Sequence, residues 1–142
     1  MKALATNYLV DAGPLIGLLD RRDQWHEWSV QILTALDEPL ASTETAIAEV
    51  CHRLRNLRPA LQELMLMLAE GRVRLAPILA EYPRRIAELL DQYPGMDAGD
   101  ATLVILSEQF PCAKLVTVDT RDFSIYRRRD GRAVPAVVPS SS

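Results

Sequence analysis

The sequence predicts an α/β sandwich around a mostly parallel sheet. Three observations carry this: short apolar runs that end at an aspartate, amphipathic helical stripes between them, and the absence of any repeat or linker that would divide the chain. Parallel strands need a long crossover, and alternating strands and helices supply one at each step. A length of 142 residues suits one domain, expected over residues 1–138, with a disordered Pro-Ser tail at 139–142.

The elements follow in order. Residues 8–10 form an apolar strand that ends at Asp11, and Gly13-Pro14 opens a helix over 15–19, with proline early in the helix, where its missing N–H matters least. Trp25, Trp28, Ile32 and Leu36 recur at spacings of three and four, which predicts a helix over about 24–36. Leu40 and Ala41 make a short strand. Ser42 or Thr43 then caps a helix through Ile47, Val50 and Leu54 that carries Glu49 off its apolar stripe. Helices are expected over about 60–70 and 80–93, around a strand at 73–75 that Pro77 ends. A helix over about 98–108 leads to a fully buried, β-branched strand at 114–118, ending at Asp119. A helical turn near 123–126 and a weak strand at 134–138 complete the chain.

Composition narrows the function. With 49% hydrophobic and 25% charged residues the chain reads as an ordinary globular protein. Sixteen Lys plus Arg against nineteen Asp plus Glu exclude nucleic-acid affinity through net charge, so any such role rests on local sites. Cys51 and Cys112 are too few and too distant for a disulfide framework, a redox pair or a cysteine zinc site, and are expected to be small buried apolar residues. After Lys2 the apolar run is interrupted by Asn7 and Asp11, which argues against a signal peptide, and no run approaches a membrane span. A cytoplasmic protein is the default expectation.

Acidic residues stand at element ends: Asp11, Glu49, Asp100 and Asp119, with Asp97 three before Asp100 and Asp122 three after Asp119. Carboxylates brought together repel and raise one another's pKa unless a cation holds them. Oxygen-only ligands, with no His or Cys at ligand spacing, favour Mg²⁺ or Mn²⁺ over Zn²⁺. Such an ion orients a water and stabilises charge on a phosphoryl oxygen, so metal-assisted phosphodiester hydrolysis is the matching reaction. The plainer reading is that Asp97 or Asp100 favours a helix dipole and Asp119 starts a turn.

Four motifs in order carry a resemblance: L-V-D at 9–11, S-x-x-x-x-x-x-E at 42–49, D-A-G-D-A-x-L-V-x-L-x-E at 97–108, and L-V-T-V-D-T-R-D-F at 115–123. Together they span nearly the whole chain, which resembles the PIN-domain family, especially VapC-like toxin ribonucleases of type II toxin–antitoxin pairs. The resemblance implies a three-layer α/β/α sandwich, a Mg²⁺- or Mn²⁺-dependent endoribonuclease, a homodimer and inhibition by a cognate antitoxin. It also implies that Asp11, Glu49, Asp100 and Asp119 are the catalytic acids, with Asp11, Asp100 and Asp119 as metal ligands and Asp97 as an additional acid. The alternative is a PIN-like module that binds RNA or protein without catalysis. Ala12 departs from the family, in which Thr or Ser often follows the first aspartate. Thr117, Ser42 and Thr43 stand near the same sheet edge and can supply a hydroxyl, or can simply cap and fill.

A basic segment follows Asp119. Arg121, Arg127 and Arg128, with Arg129 and Arg132, either track an RNA backbone or form a solvated turn. Arg21 and Arg22 read as an ordinary loop, and His52 as a helix-surface residue rather than a general base. His26 should be half exposed, while Trp25, Trp28, Met65 and Met67 read as core. The helices starting near 24 and 60 can form a groove for an antitoxin helix. A haloacid-dehalogenase-like phosphatase needs a second Asp where Gly13 stands. A receiver domain needs an acid where the third strand meets Ala76-Pro77.

Overall fold

A computed structural model describes residues 6–140. Its elements are β1 (Tyr8–Val10), α1 (Ala12–Leu19), α2 (His26–Ala35), β2 (Leu40–Thr43), α3 (Glu44–Arg53), α4 (Arg58–Ala69), β3 (Val73–Ala76), α5 (Ile78–Glu81), α6 (Pro83–Gln92), α7 (Ala98–Gln109), β4 (Lys114–Val116), α8 (Thr120–Ile125) and β5 (Ala136–Val137). The sheet has strand order β3-β2-β1-β4-β5, and every pairing is parallel. This is the expected three-layer α/β/α arrangement.

Alternating side chains serve the two faces. Leu9, Ala41 and Leu115 enter a core shared with α5, α6 and α7, while Val10, Leu40 and Val116 enter a second core shared with α1, α3 and α4. Burial on both faces explains why the strands read as continuous apolar runs rather than alternating ones. From β1 the chain steps to β2 and β3 on one side, then crosses back to β4 and β5 on the other. The order therefore reverses between β1 and β4, and their carboxyl ends frame the crevice where such sheets bind ligands.

Several boundaries differ from expectation. Pro83 sits in the first turn of α6, and Tyr82 ends α5 and starts α6, so the helix expected over 80–93 is two. Proline fits a first turn but breaks a helix interior. β2 runs on through Thr43, with all four residues buried. β4 stops at Val116 and its Lys114 is exposed, so the strand is shorter and less buried than predicted. β5 contains only Ala136–Val137. Cys112 is exposed and Cys51 half-buried, against the expectation of two buried cysteines. Met67 is core, but Met65 is 43% exposed because it lies on the outer face of α4. In the expected tail, Pro139 and Ser140 belong to no helix or strand, and residues 141–142, like Lys2, lie outside the described residues. Among the described residues no helix is long and apolar enough to cross a membrane.

Candidate active site

Three helices begin at the β1/β4 crevice, each capped by an acid. Asp11 caps α1 and accepts the Ala12 N–H at 2.7 Å. Asp97 caps α7 and accepts the Asp100 N–H at 2.8 Å, and Asp119 caps α8 and accepts the Asp122 N–H at 3.1 Å. Capping and site placement thus coincide, since the unpaired N–H groups of a helix start favour carboxylates there. Gly13 permits the close fit: a Cβ there would stand 2.5 Å from Val118 Cγ2, a stiff β-branched side chain. Glu49 reaches the same cleft from the exposed side of α3.

The cleft, of about 320 Å³, is lined by Asp11, Glu49, Asp97, Asp100, Asp119 and Asp122. All six acids singled out from the sequence therefore converge. Asp23, Gln24, Trp25 and Arg53 also line it, with Gly13, Ile16, Gly95 and Val118. The sequence singles out none of Asp23, Gln24 and Arg53, and its helical spacing assigns Trp25 to the core rather than to the site. Arg53 follows Glu49 by four residues and so shares its helix face, a spacing visible in the sequence. Trp25 precedes the first residue of α2, so the apolar stripe did not govern it; Trp28, inside the helix, packs against the core as expected.

Two hydroxyls fix the acids. Buried Thr117 donates its Oγ1–H to Asp11 Oδ2 at 2.8 Å and accepts the Asp119 N–H at 3.0 Å, tying the ends of β1 and β4 together. It supplies the hydroxyl that Ala12 lacks. Tyr126 donates its hydroxyl to Asp100 Oδ2 at 2.8 Å, its buried ring held edge-on by Tyr93 and Phe123 at centroid distances of 5.2 and 5.3 Å. Ser42 and Thr43 do not reach the acids: Ser42 donates to the Val10 carbonyl at 2.8 Å, and Thr43 caps α3 and pairs with Thr102 at 2.8 Å.

Electrostatically the cleft is under-compensated. Burial pushes Asp11 up to about 6, with Glu49 and Asp119 adding repulsion and the bonds from Thr117 and Ala12 opposing. Burial pushes Asp100 up to about 7, helped by Asp97, Asp11 and Asp119 and resisted by Tyr126. Glu49 and Asp119 are also raised, burial being the first cause in both. Among the described residues, none of the six acids forms an ion pair. Asp100, Asp119 and Asp122 each present a carboxylate oxygen within 4.8 Å of the others. Hard oxygen donors that repel one another, form no ion pair among the described residues and have only Arg53 opposing the repulsion at Glu49 fit Mg²⁺ or Mn²⁺. Asp122 thus belongs to the tight trio, and Asp11 lines the same cleft outside it, with Ala12 and Thr117 each donating to one of its oxygens.

The basic segment behaves differently from an RNA-tracking strip. Arg128 is 7% exposed and donates to the Pro111 carbonyl at 2.9 Å and the Ser107 carbonyl at 3.3 Å, so it is an interior pin, which corrects its expected role at an RNA surface. Arg127 is exposed, yet its guanidinium turns back to the carbonyls of Ser124 at 2.7 Å and Tyr126 at 2.9 Å, closing the end of α8. Arg129 approaches Glu88 at 3.5 Å. Arg121 is exposed, and none of these arginines lines the cleft. His52 is an exposed helix residue, and half-buried His26 meets the Gly17 carbonyl through Nδ1 at 2.7 Å.

No protein-family model and no curated protein matches the chain. Solved structures do. Mycobacterium tuberculosis VapC20, described as a sarcin-ricin loop cleaving toxin, superposes with a TM-score of 0.68 at 13% identity, over 76% of this chain and 86% of that one. A toxin–antitoxin complex from Klebsiella pneumoniae gives 0.65 at 21% identity, covering 83% and 91%. VapBC2 from Rickettsia felis, bound to a DNA fragment from its promoter, gives 0.63 at 14% identity, covering 94% and 98%. At these identities the likeness concerns the fold, which agrees with the sheet order and crevice described above. The chain has the PIN-like fold of the VapC toxins.

Proposed function

We propose that the protein is a cytoplasmic endoribonuclease that hydrolyses RNA phosphodiester bonds with Mg²⁺ or Mn²⁺, and the toxin of a type II toxin–antitoxin pair. The observation that carries the reading is the gathering of six carboxylates, without an ion-pair partner, at the switch point of a parallel sheet. A bound divalent ion would supply an activated water and stabilise charge on the phosphoryl oxygens. Asp100, Asp119 and Asp122 would hold the ion, with Asp11 a direct or water-mediated ligand beside them. Tyr126 and Thr117 keep the Asp100 and Asp11 carboxylates in place, so little reorganisation precedes reaction. Glu49, on the open side, would orient the attacking water and accept its proton, and Asp97 supports Asp100 through the cap. An antitoxin partner belongs to the same reading, supported by the fold shared with toxin–antitoxin complexes, and a homodimer is proposed with it on the motif resemblance alone.

The test incubates the purified, antitoxin-free protein with structured RNAs, with and without EDTA, beside Asp11→Ala. Changes to groups that merely orient metal ligands cost about 10–100-fold, so Asp11→Ala should lose at least about 100-fold. EDTA should abolish cleavage. Cleavage that survives both treatments would overturn the mechanism.

A further inference from the structure

We propose that Arg53 is the phosphate-binding residue of the cleft, its guanidinium taking a non-bridging oxygen of the RNA backbone beside the bond that is cut. The assignment rests on the nuclease reading above and adds to it the residue that admits a polyanion to an acidic site.

The cleft is lined by seven acidic side chains, Asp23 included, and one basic one, Arg53. A carboxylate-lined cleft repels an RNA backbone, and the chain's net charge of −3 offers no attraction to offset this. A cation within the cleft is required, and none of the arginines downstream of Asp119, exposed Arg121 included, lines it. Arg127 and Arg128 are bound to backbone carbonyls, Arg129 faces Glu88, and none of them lines the cleft. Arg53 is exposed, and among the described residues no ion pair or side-chain hydrogen bond engages its guanidinium. Its planar donor fork matches two phosphate oxygens at once, which a lysine ammonium does not. One helical turn separates it from Glu49, so the phosphate it holds lies beside the carboxylate proposed to handle the water.

The plainer role is a surface partner for Glu49, since residues four apart on a helix attract by a few tenths of a kcal/mol. The two roles differ in what they predict for RNA. Arg53→Gln and Arg53→Lys are compared with the wild type by melting temperature, by Mn²⁺ titration calorimetry and by cleavage. Binding of a fluorescein-labelled, mixed-sequence single-stranded RNA is followed by anisotropy across a salt series, in the cleavage-silent Asp119→Asn background. Arg53→Gln should melt like the wild type and keep its Mn²⁺ affinity. It should also lower kcat/KM by about 10–100-fold and reduce the log–log salt slope of RNA binding by roughly one contact, about 0.7. Arg53→Lys should restore the salt slope but only part of the rate. If the wild type cleaves RNA in a divalent-dependent way and Arg53→Gln matches it in rate and salt slope, the Arg53 assignment is overturned while the nuclease reading stands. If the wild type neither binds nor cleaves RNA, both fall together.

Discussion

Thr117 shows how a site tolerates a missing residue. With alanine at position 12, the hydroxyl bonded to Asp11 comes from Thr117, just past the end of β4 and 106 residues from Asp11, which donates to Asp11 and accepts from the Asp119 N–H. Thr117→Val keeps the shape and removes both bonds, leaving an acceptor and a backbone donor unpaired. A stability loss of roughly 1–3 kcal/mol follows from the desolvated partners, and Mn²⁺ affinity should drop by about 10–100-fold through the misplaced acids. Denaturant titration and calorimetry measure the two effects separately; native Mn²⁺ affinity in this variant would show that Thr117 is only a strand-filling residue. The acids themselves were legible because charged residues at strand ends are conspicuous against buried apolar runs. The hydroxyls that hold them were not. A buried Thr in a β-branched run reads as filler, and nothing local links Tyr126 to Asp100. Arg128 misled for the opposite reason, because an arginine-rich stretch looks solvated until tertiary carbonyls are known to receive it.

At the scale of elements, α7 joins capping to the cleft, because Asp97 both starts the helix and lines the cleft, as Asp11 and Asp119 do for α1 and α8. Replacing an N-cap acid by alanine costs about 1 kcal/mol, whereas serine keeps the capping oxygen. Asp97→Ala should therefore be destabilised by about that amount, and Asp97→Ser by only a few tenths, in urea unfolding. Equal destabilisation of the two would show that the charge, not the cap, is what the fold uses. Elements defined by local chemistry were readable: a proline that fits only a first turn, a hydroxyl before a helix, an apolar period. The split at Pro83 was locally encoded too, yet the apolar residues on both sides run in one phase and invite a single helix. β5 depends on pairing with β4, from Leu115↔Ala136 to Val116↔Val137, and so its extent is a property of the sheet rather than of its own residues.

Across the whole molecule, the gathered acids couple folding, pH and metal. Asp11 and Asp100 are raised from 3.8 to about 6 and about 7. A carboxyl group with a raised native pKa holds its proton in the folded state after the unfolded chain has released it. The folded state therefore binds more protons across this interval, and stability falls as pH climbs from about 4 to about 7, with no further loss from these groups above that. A divalent ion acts in the opposite sense, since it needs the carboxylates ionised and binds only the native arrangement. In EDTA, the melting temperature should decline between about pH 4 and pH 7, while the increment from Mn²⁺ should grow over the same range. At an ion concentration near 100 times Kd the increment is worth about 2.7 kcal/mol, or roughly 5–10 °C for a chain of this size. Asp100→Asn removes one raised carboxyl and one ligand, so it should be more stable than the wild type in EDTA at about pH 8 and gain little from Mn²⁺. A Mn²⁺ increment that is the same at both pH values, and unchanged in Asp100→Asn, would mean that the ion binds elsewhere and that Asp100 serves the fold alone.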